Sequence, residues 1–373
     1  MKLKKIFITS TNMSGKGYMT ALLDGSPELC VFPYHKFGIS FAYDEFLKYI
    51  KKKEFKFDNG YFNYDAKNTV CILFENGDKS RISIGEILNF IFTRNESIRY
   101  LFQTHMTKKV AYYSGDKLRS LHSLDFDITT LIKYFSKNLL DISPSNISIE
   151  DIDDCLYIAY MQSVGIDPIN GNCKTIVLFG SNDISQSTCL FNFYQNFQII
   201  FIKRDLLSLA FSIVKRTLSQ KSTKEIDYDK VFLVMLLNAS KIKKKYNEAL
   251  LGFENFQDNR DKVKIVFFEK LFCSVKDEMN SIAMFLNIKV VNEILYKPSL
   301  FGQSLPVESE SIQDDPYSCF SNAKIKRLNH FYYGLKGKAS VNFILQYYFD
   351  KAIIKIINTT KIINILRVFK KNK

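Results

Sequence analysis

Ile199-Ile200-Phe201-Ile202-Lys203-Arg204-Asp205-Leu206-Leu207-Ser208-Leu209-Ala210-Phe211-Ser212 is an apolar run that breaks at three polar residues and resumes with apolar positions at helical spacing. An unbroken apolar run of this length, without polar alternation, is what a strand covered on both faces requires, and parallel sheets bury their strands in that way. Ile6-Phe7-Ile8, Thr175-Ile176-Val177-Leu178-Phe179 and Lys264-Ile265-Val266-Phe267-Phe268 read the same. The first leads into Tyr18, Met19, Leu22 and Leu23 at helical spacing, and the last into a helix over Val275 to Leu286. Short apolar runs that alternate with helices specify an α/β fold, with a central parallel sheet, right-handed crossovers and helices on its faces.

The chain has 373 residues, long for one domain but within reach of a single elaborated α/β unit. One domain over 1–340 is expected, with an insertion at about 41–170 of polar loops and amphipathic helices, among them Ile84 to Thr93 and Thr129 to Leu140. The segment 341–373 alternates Ile, Phe and Leu with Lys and ends in Lys370-Lys371-Asn372-Lys373, a basic amphipathic helical pattern. It has two readings, a helix lying on an anionic membrane surface or a helix whose apolar face packs on the domain.

An apolar fraction of 46% excludes a disordered chain. The formal charge of +14 favours anionic partners, with AT-rich coding as the competing explanation for the abundant Lys. No interleaved basic and aromatic motif or recognisable module supports a nucleic-acid binder. The seven cysteines show no metal spacing and read as reduced, mostly buried thiols, and no metal site is expected. With no signal-peptide pattern and no apolar stretch of about 20 residues, a cytoplasmic protein is expected.

Thr9-Ser10-Thr11-Asn12-Met13-Ser14-Gly15-Lys16-Gly17-Tyr18 carries a strand through a tight turn into a helix N-terminus. Backbone N–H groups and the positive end of the helix dipole then converge, which suits a phosphate, and Lys16 adds a full charge. A nucleoside-triphosphate P-loop needs a Ser or Thr after its Lys to ligate Mg²⁺, and Gly17 stands there instead. Arg204 at a strand end and Ser212 about two helical turns later can meet one anion if the turn between them is tight.

The segment from Ile199 to Ser212 resembles the 3′-phosphate motif of sulfotransferases that use 3′-phosphoadenosine 5′-phosphosulfate (PAPS): strand, Arg-Asp-Pro, five residues, Ser. Leu206 replaces the Pro, which shapes the turn and supplies no ligand. The first turn resembles the family's 5′-phosphosulfate loop, with Ser14-Gly15 kept, Met13 at the basic position, and Lys16-Gly17 in place of two Thr. Val266-Phe267-Phe268-Glu269-Lys270-Leu271 resembles the family's strand-Tyr-Glu-Asp-Leu, which implies Glu269 as an acid bracing the core.

The resemblance implies a P-loop-kinase-like three-layer fold and sulfuryl transfer to a hydroxyl, on a glycan or lipid-linked glycan, without a metal. It places the donor nucleotide on Asn12, Met13, Ser14, Gly15, Lys16, Gly17 and Tyr18, with Arg204 and Ser212 on the 3′-phosphate. His35 is the candidate base, where related enzymes carry a Glu; a loop histidine bonded to a carbonyl is its alternative reading, and Asp183 is the reserve. The insertion is expected to shape the acceptor site. Two other functional classes stay open, a P-loop kinase and a non-catalytic nucleotide-binding relative that kept the fold.

Overall fold

The computed structural model describes residues 2–10, 15–24, 26–35, 38–52, 68–74, 76–94, 109–111, 123–125, 128–142, 146–179, 193–219, 227–254, 261–289, 299–300, 303–304 and 319–333. Asp183, Cys189, Lys336 to Lys338 and the basic segment 341–373 lie outside these. The chain divides into two compact units, Met1–Lys203 with Gly252–Val307, and Arg204–Leu251 with Glu308–Lys373.

The first unit is built on the expected parallel sheet. β1 (Lys4–Ser10) leads into α1 (Lys16–Leu23), and β2 (Leu29–His35) into α2 (Tyr43–Lys52). A hairpin of β3 (Thr69–Leu73) and β4 (Lys79–Ser83) precedes α3 (Ile84–Arg94), and a short pair follows, β5 (Lys109–Ala111) with β6 (Ser123–Asp125). Then come α4 (Ile128–Ile142), α5 (Ile149–Ser163), β7 (Thr175–Phe179) and β8 (Phe197–Lys203). The sheet has five strands in the order β2-β7-β1-β8-β9, where β9 is Val263–Phe267. All four pairings are parallel. Counted along the chain the order is 2-3-1-4-5, the P-loop-kinase-like arrangement.

Burial explains why the apolar runs form strands. Alternate residues of β1 serve opposite faces of the sheet. Ile6 and Ile8 join Val177, Ile200, Ile202 and Val266 under Met19 and Leu22 of α1 and under Met279 and Ile282 of α9 (Val275–Leu286). Phe7 points the other way, against Phe41 and Tyr194. Phe32 of β2 packs on that second face against Tyr157 and Tyr160 of α5. Helices therefore cover both sides of the sheet.

Helix α5 carries Glu150, Asp151, Asp153 and Asp154, a pattern that suggests a solvated helix, yet only Asp151 among these is not fully buried. Lys5, completely buried in β1, meets Asp154 at 2.6 Å and Glu150 at 3.2 Å. Lys2 meets Asp151 at 2.8 Å and Glu150 at 3.1 Å. The acids are inside because the first strand brings two lysines to them. Ser148 caps the helix and Asp151 closes the capping box.

One strand goes beyond the sequence expectations, and two of those expectations need correction. β2 is a full edge strand, although Pro33 interrupts its apolar run; an edge position tolerates the missing N–H, and the pairing with β7 shifts register between Val31 and His35. The insertion contains two antiparallel hairpins besides its helices. Of the six described cysteines only Cys30, Cys155 and Cys173 are buried, so "mostly buried" overstates it.

The second unit contains α6 (Leu206–Ser219), most of α7 (Tyr228–Glu254) and α10 (Asn322–Tyr333). Phe211, Tyr228, Phe232 and Phe320 form its ring cluster, with centroids 5.5 to 6.5 Å apart. Tyr332 donates to the Met235 carbonyl at 2.9 Å.

Candidate anion-binding site at the carboxyl ends of β1 and β8

β1 and β8 are neighbours, with Ser10 opposite Ile202 at their carboxyl ends. After β1 the chain goes to β2 at one edge of the sheet, and after β8 it goes to β9 at the other. Neighbouring parallel strands whose continuations diverge in this way leave a crevice outside their carboxyl ends, where open α/β sheets bind ligands. The two sequence motifs singled out above follow these two strands.

In the turn after β1, Asn12, Met13 and Ser14 lie outside the described residues, and the description resumes at Gly15. Gly15 adopts φ 87°, in the left-handed region, and caps α1 without a side-chain bond. The first helical bond runs from the Met19 N–H to the Gly15 carbonyl at 3.0 Å, so the amides of Lys16, Gly17 and Tyr18 precede the ladder of α1. Lys16 and Tyr18 are half-buried and Gly17 is buried. Burial raises the Tyr18 hydroxyl's pKa, and its ring packs against the core, which leaves its backbone as its offering to a ligand. The Thr20 hydroxyl donates back to the Lys16 carbonyl at 2.8 Å.

Phe268 ties this turn to β8. Its N–H donates to the Lys203 carbonyl at 2.8 Å, while a Cβ on Gly15 would fall 2.0 Å from its ring. Next to it, Lys203 and Lys270 each hold their ammonium 5.6 Å from the Phe267 ring centroid. Glu269, read from sequence as an acid bracing the core, is exposed at the turn after β9, and that expectation fails.

Arg204 follows β8 directly and is half-buried. Asp205 caps α6, its Oδ2 accepting the Ser208 N–H at 2.9 Å and its carbonyl accepting the Leu209 N–H at 2.9 Å. Leu206, in the family's Pro position, is the first helical residue and is buried. Its apolar side chain holds the turn by packing. Ser208, Ser212 and Lys215 share one half-buried face of α6. The Thr217 hydroxyl donates back to the Ile213 carbonyl at 2.8 Å, whereas the Ser212 hydroxyl makes no hydrogen bond to another described residue. Burial lowers the Lys215 ammonium's pKa, with the Cys319 thiol opposing.

His35 ends β2, its backbone paired with Phe179 at the end of β7, so it shares the carboxyl edge with both motifs. Its side chain and Asp183 lie outside the described residues. The chain just beyond His35 is anchored from below: Asp153 accepts the Ile39 N–H at 2.6 Å, the Ser40 N–H at 3.1 Å and the Tyr194 hydroxyl at 2.6 Å. Burial raises the Asp153 pKa and these donors oppose the rise. Gly38, at φ 135°, lets the backbone pass, since a Cβ there would come within 3.0 Å of the Asp153 carboxylate.

At the first turn the Phe268 ring closes over the bare Cα of Gly15, while the amides of Lys16, Gly17 and Tyr18 stand ahead of the α1 ladder. Among the described residues no cluster of His, Cys, Asp and Glu could hold a metal ion. None of their helices is long and apolar enough to cross a membrane.

No family model matches the chain, and no curated protein matches it in sequence. Among the solved structures it is similar to are several sulfotransferases and a retinol dehydratase. The sulfotransferase domain from the curacin biosynthetic pathway has TM-score 0.39 and 13% identity, over 88% of this chain and 97% of that one. A sulfotransferase of Mycobacterium tuberculosis has TM-score 0.37 and 11% identity, over 90% and 78%. One from Alicyclobacillus acidocaldarius also has TM-score 0.37 and 11% identity, over 90% and 98%. With scores this low the likeness carries no weight, and the reading of the site rests on the residues above.

Proposed function

We propose that this protein is a PAPS-dependent sulfotransferase, moving the sulfuryl group to an acceptor hydroxyl. The observation that carries the reading is the pairing of β1 with β8 at the sheet's switch point. The strand of the Ser-Gly turn and the strand of the Arg-Asp…Ser motif run side by side and end together.

PAPS, when bound, supplies an activated sulfuryl group whose departing phosphate gains negative charge as the bond to sulfur breaks. The amides of Gly15, Gly17 and Tyr18, with Ser14 and Lys16, are assigned to that phosphate; Asn12 and Met13 complete the turn. Donors fixed in advance around a developing charge need no reorganisation as it forms, which makes them effective. Arg204 and Ser212 are assigned to the 3′-phosphate, the guanidinium giving charge and a planar fork, the hydroxyl a single donor. His35 takes the proton of the acceptor hydroxyl, an imidazole being a side chain suited to proton transfer near neutral pH. Asp183 is the second candidate for that role.

The acceptor is proposed as a glycan or glycolipid and the location as cytoplasmic, with the basic segment 341–373 offering contact to an anionic membrane face. The insertion is the proposed acceptor site. The test is conversion of PAPS to 3′-phosphoadenosine 5′-phosphate (PAP) with glycan, glycolipid and simple phenol or alcohol acceptors. Acceptor-dependent release of PAP supports the reading, and none with any class sinks it.

A further inference from the structure

Arg204 stands between the last residue of β8 and the cap of α6, outside any helix or strand. A long cationic side chain at such a junction has many rotamers to lose, so it grips an anion well only if its backbone is already fixed. Two tyrosines of the second unit bond this turn. Tyr246 of α7, nearly buried, donates its hydroxyl to the Arg204 carbonyl at 2.9 Å. Tyr333 of α10 accepts the Leu207 N–H at 3.2 Å and donates to Asp205 Oδ1. The other carboxylate oxygen of Asp205 is taken by the Ser208 N–H. The Arg204 carbonyl and the Leu207 N–H are thereby held by side chains that arrive from 42 and 126 positions further along the chain.

Capping of α6 does not require these bonds, because Asp205 alone supplies the cap. Tyr333 is 37% exposed, so water can satisfy its hydroxyl and its bonds contribute little to global stability.

We propose that Tyr246 and Tyr333 are positioning residues for the 3′-phosphate site of Arg204 and Ser212. The inference rests on the reading of those two residues given under Proposed function. Neither tyrosine touches the nucleotide; each acts through the backbone of the Arg204 turn.

The experiment is calorimetric titration of the full chain, wild type and Tyr246→Phe/Tyr333→Phe, with PAP and with adenosine 5′-phosphate, which lacks the 3′-phosphate. The double variant is expected to bind PAP about tenfold more weakly while its affinity for adenosine 5′-phosphate changes less than about twofold. Unchanged PAP affinity would overturn the inference, as would an equal loss for both nucleotides, which marks a general structural role. A wild type that does not prefer PAP over adenosine 5′-phosphate sinks instead the assignment of Arg204 and Ser212.

Discussion

Phe268 lies under Gly15, so close that a Cβ on the glycine would sit 2.0 Å from the phenyl ring, and the same residue's N–H bonds the Lys203 carbonyl. One aromatic residue after β9 therefore sets the level of the turn after β1 and the end of β8. Gly15→Ala must bear both the strain of φ 87° and this overlap. It is expected to cost about 1–3 kcal/mol in chemical denaturation. Phe268→Ala in the Gly15→Ala background should cost less than Phe268→Ala alone, since part of the overlap disappears. Additive losses would show that the ring does not constrain the turn.

Asp205 has both carboxylate oxygens engaged, by the Ser208 N–H and by the Tyr333 hydroxyl. Asp205→Ala removes the cap of α6 and is expected to lower stability by about 1 kcal/mol, with PAP affinity falling several-fold. Asp205→Asn keeps an acceptor for the Ser208 amide and should recover most of the stability. Denaturation and calorimetry of the two variants check this.

Asp154 faces Lys5 at 2.6 Å, yet burial outweighs the lysine and pushes its carboxyl from 3.8 up to about 6. An acid whose pKa is raised by folding favours the folded state most at low pH. Its contribution is full below the unfolded value of 3.8 and is lost as pH climbs through about 6. Measured against Asp154→Asn, which does not titrate, the wild type's stability should fall by on the order of 3 kcal/mol across that window and level off above it. A difference that rises with pH would mean that Lys5 dominates and the carboxyl is held down.

His35→Asn tests the proposed base. The expected result is a kcat lower by about two orders of magnitude with the KM for PAPS unchanged, because the residue acts on the acceptor and not on the nucleotide. A histidine that only bonds a carbonyl would leave kcat nearly intact, and Asp183→Asn would then be the variant expected to lose it.

Four sheet strands are plain in the sequence because a strand buried on both faces leaves no polar alternation, as in Ile199-Ile200-Phe201-Ile202. β2 is not, since Pro33 breaks the run and the edge position relaxes the pattern. The β3–β4 hairpin carries one local signal, Asn76-Gly77 shortly after the β-branched run Thr69-Val70-Cys71-Ile72. Helix α5 is hidden for a different reason. Its acids look solvated until Lys2, Lys5 and the amides of Ile39 and Ser40 are brought to them by contacts of long sequence separation. Of the proposed site, Gly15, Lys16, Arg204 and Ser212 are legible in local pattern, whereas Tyr246 and Tyr333 are not. Nothing local distinguishes a tyrosine that bonds a carbonyl 42 residues away from one that packs in a core.

The central claim is that the turns after β1 and β8 serve one bisphosphorylated adenosine. Calorimetry of the wild type, Arg204→Ala and Ser212→Ala with PAP, set against ATP with Mg²⁺, tests it most directly. The account predicts tight PAP binding that collapses in both variants, and weak ATP binding indifferent to Mg²⁺. A preference for ATP with Mg²⁺, or PAP binding untouched by either substitution, would contradict it.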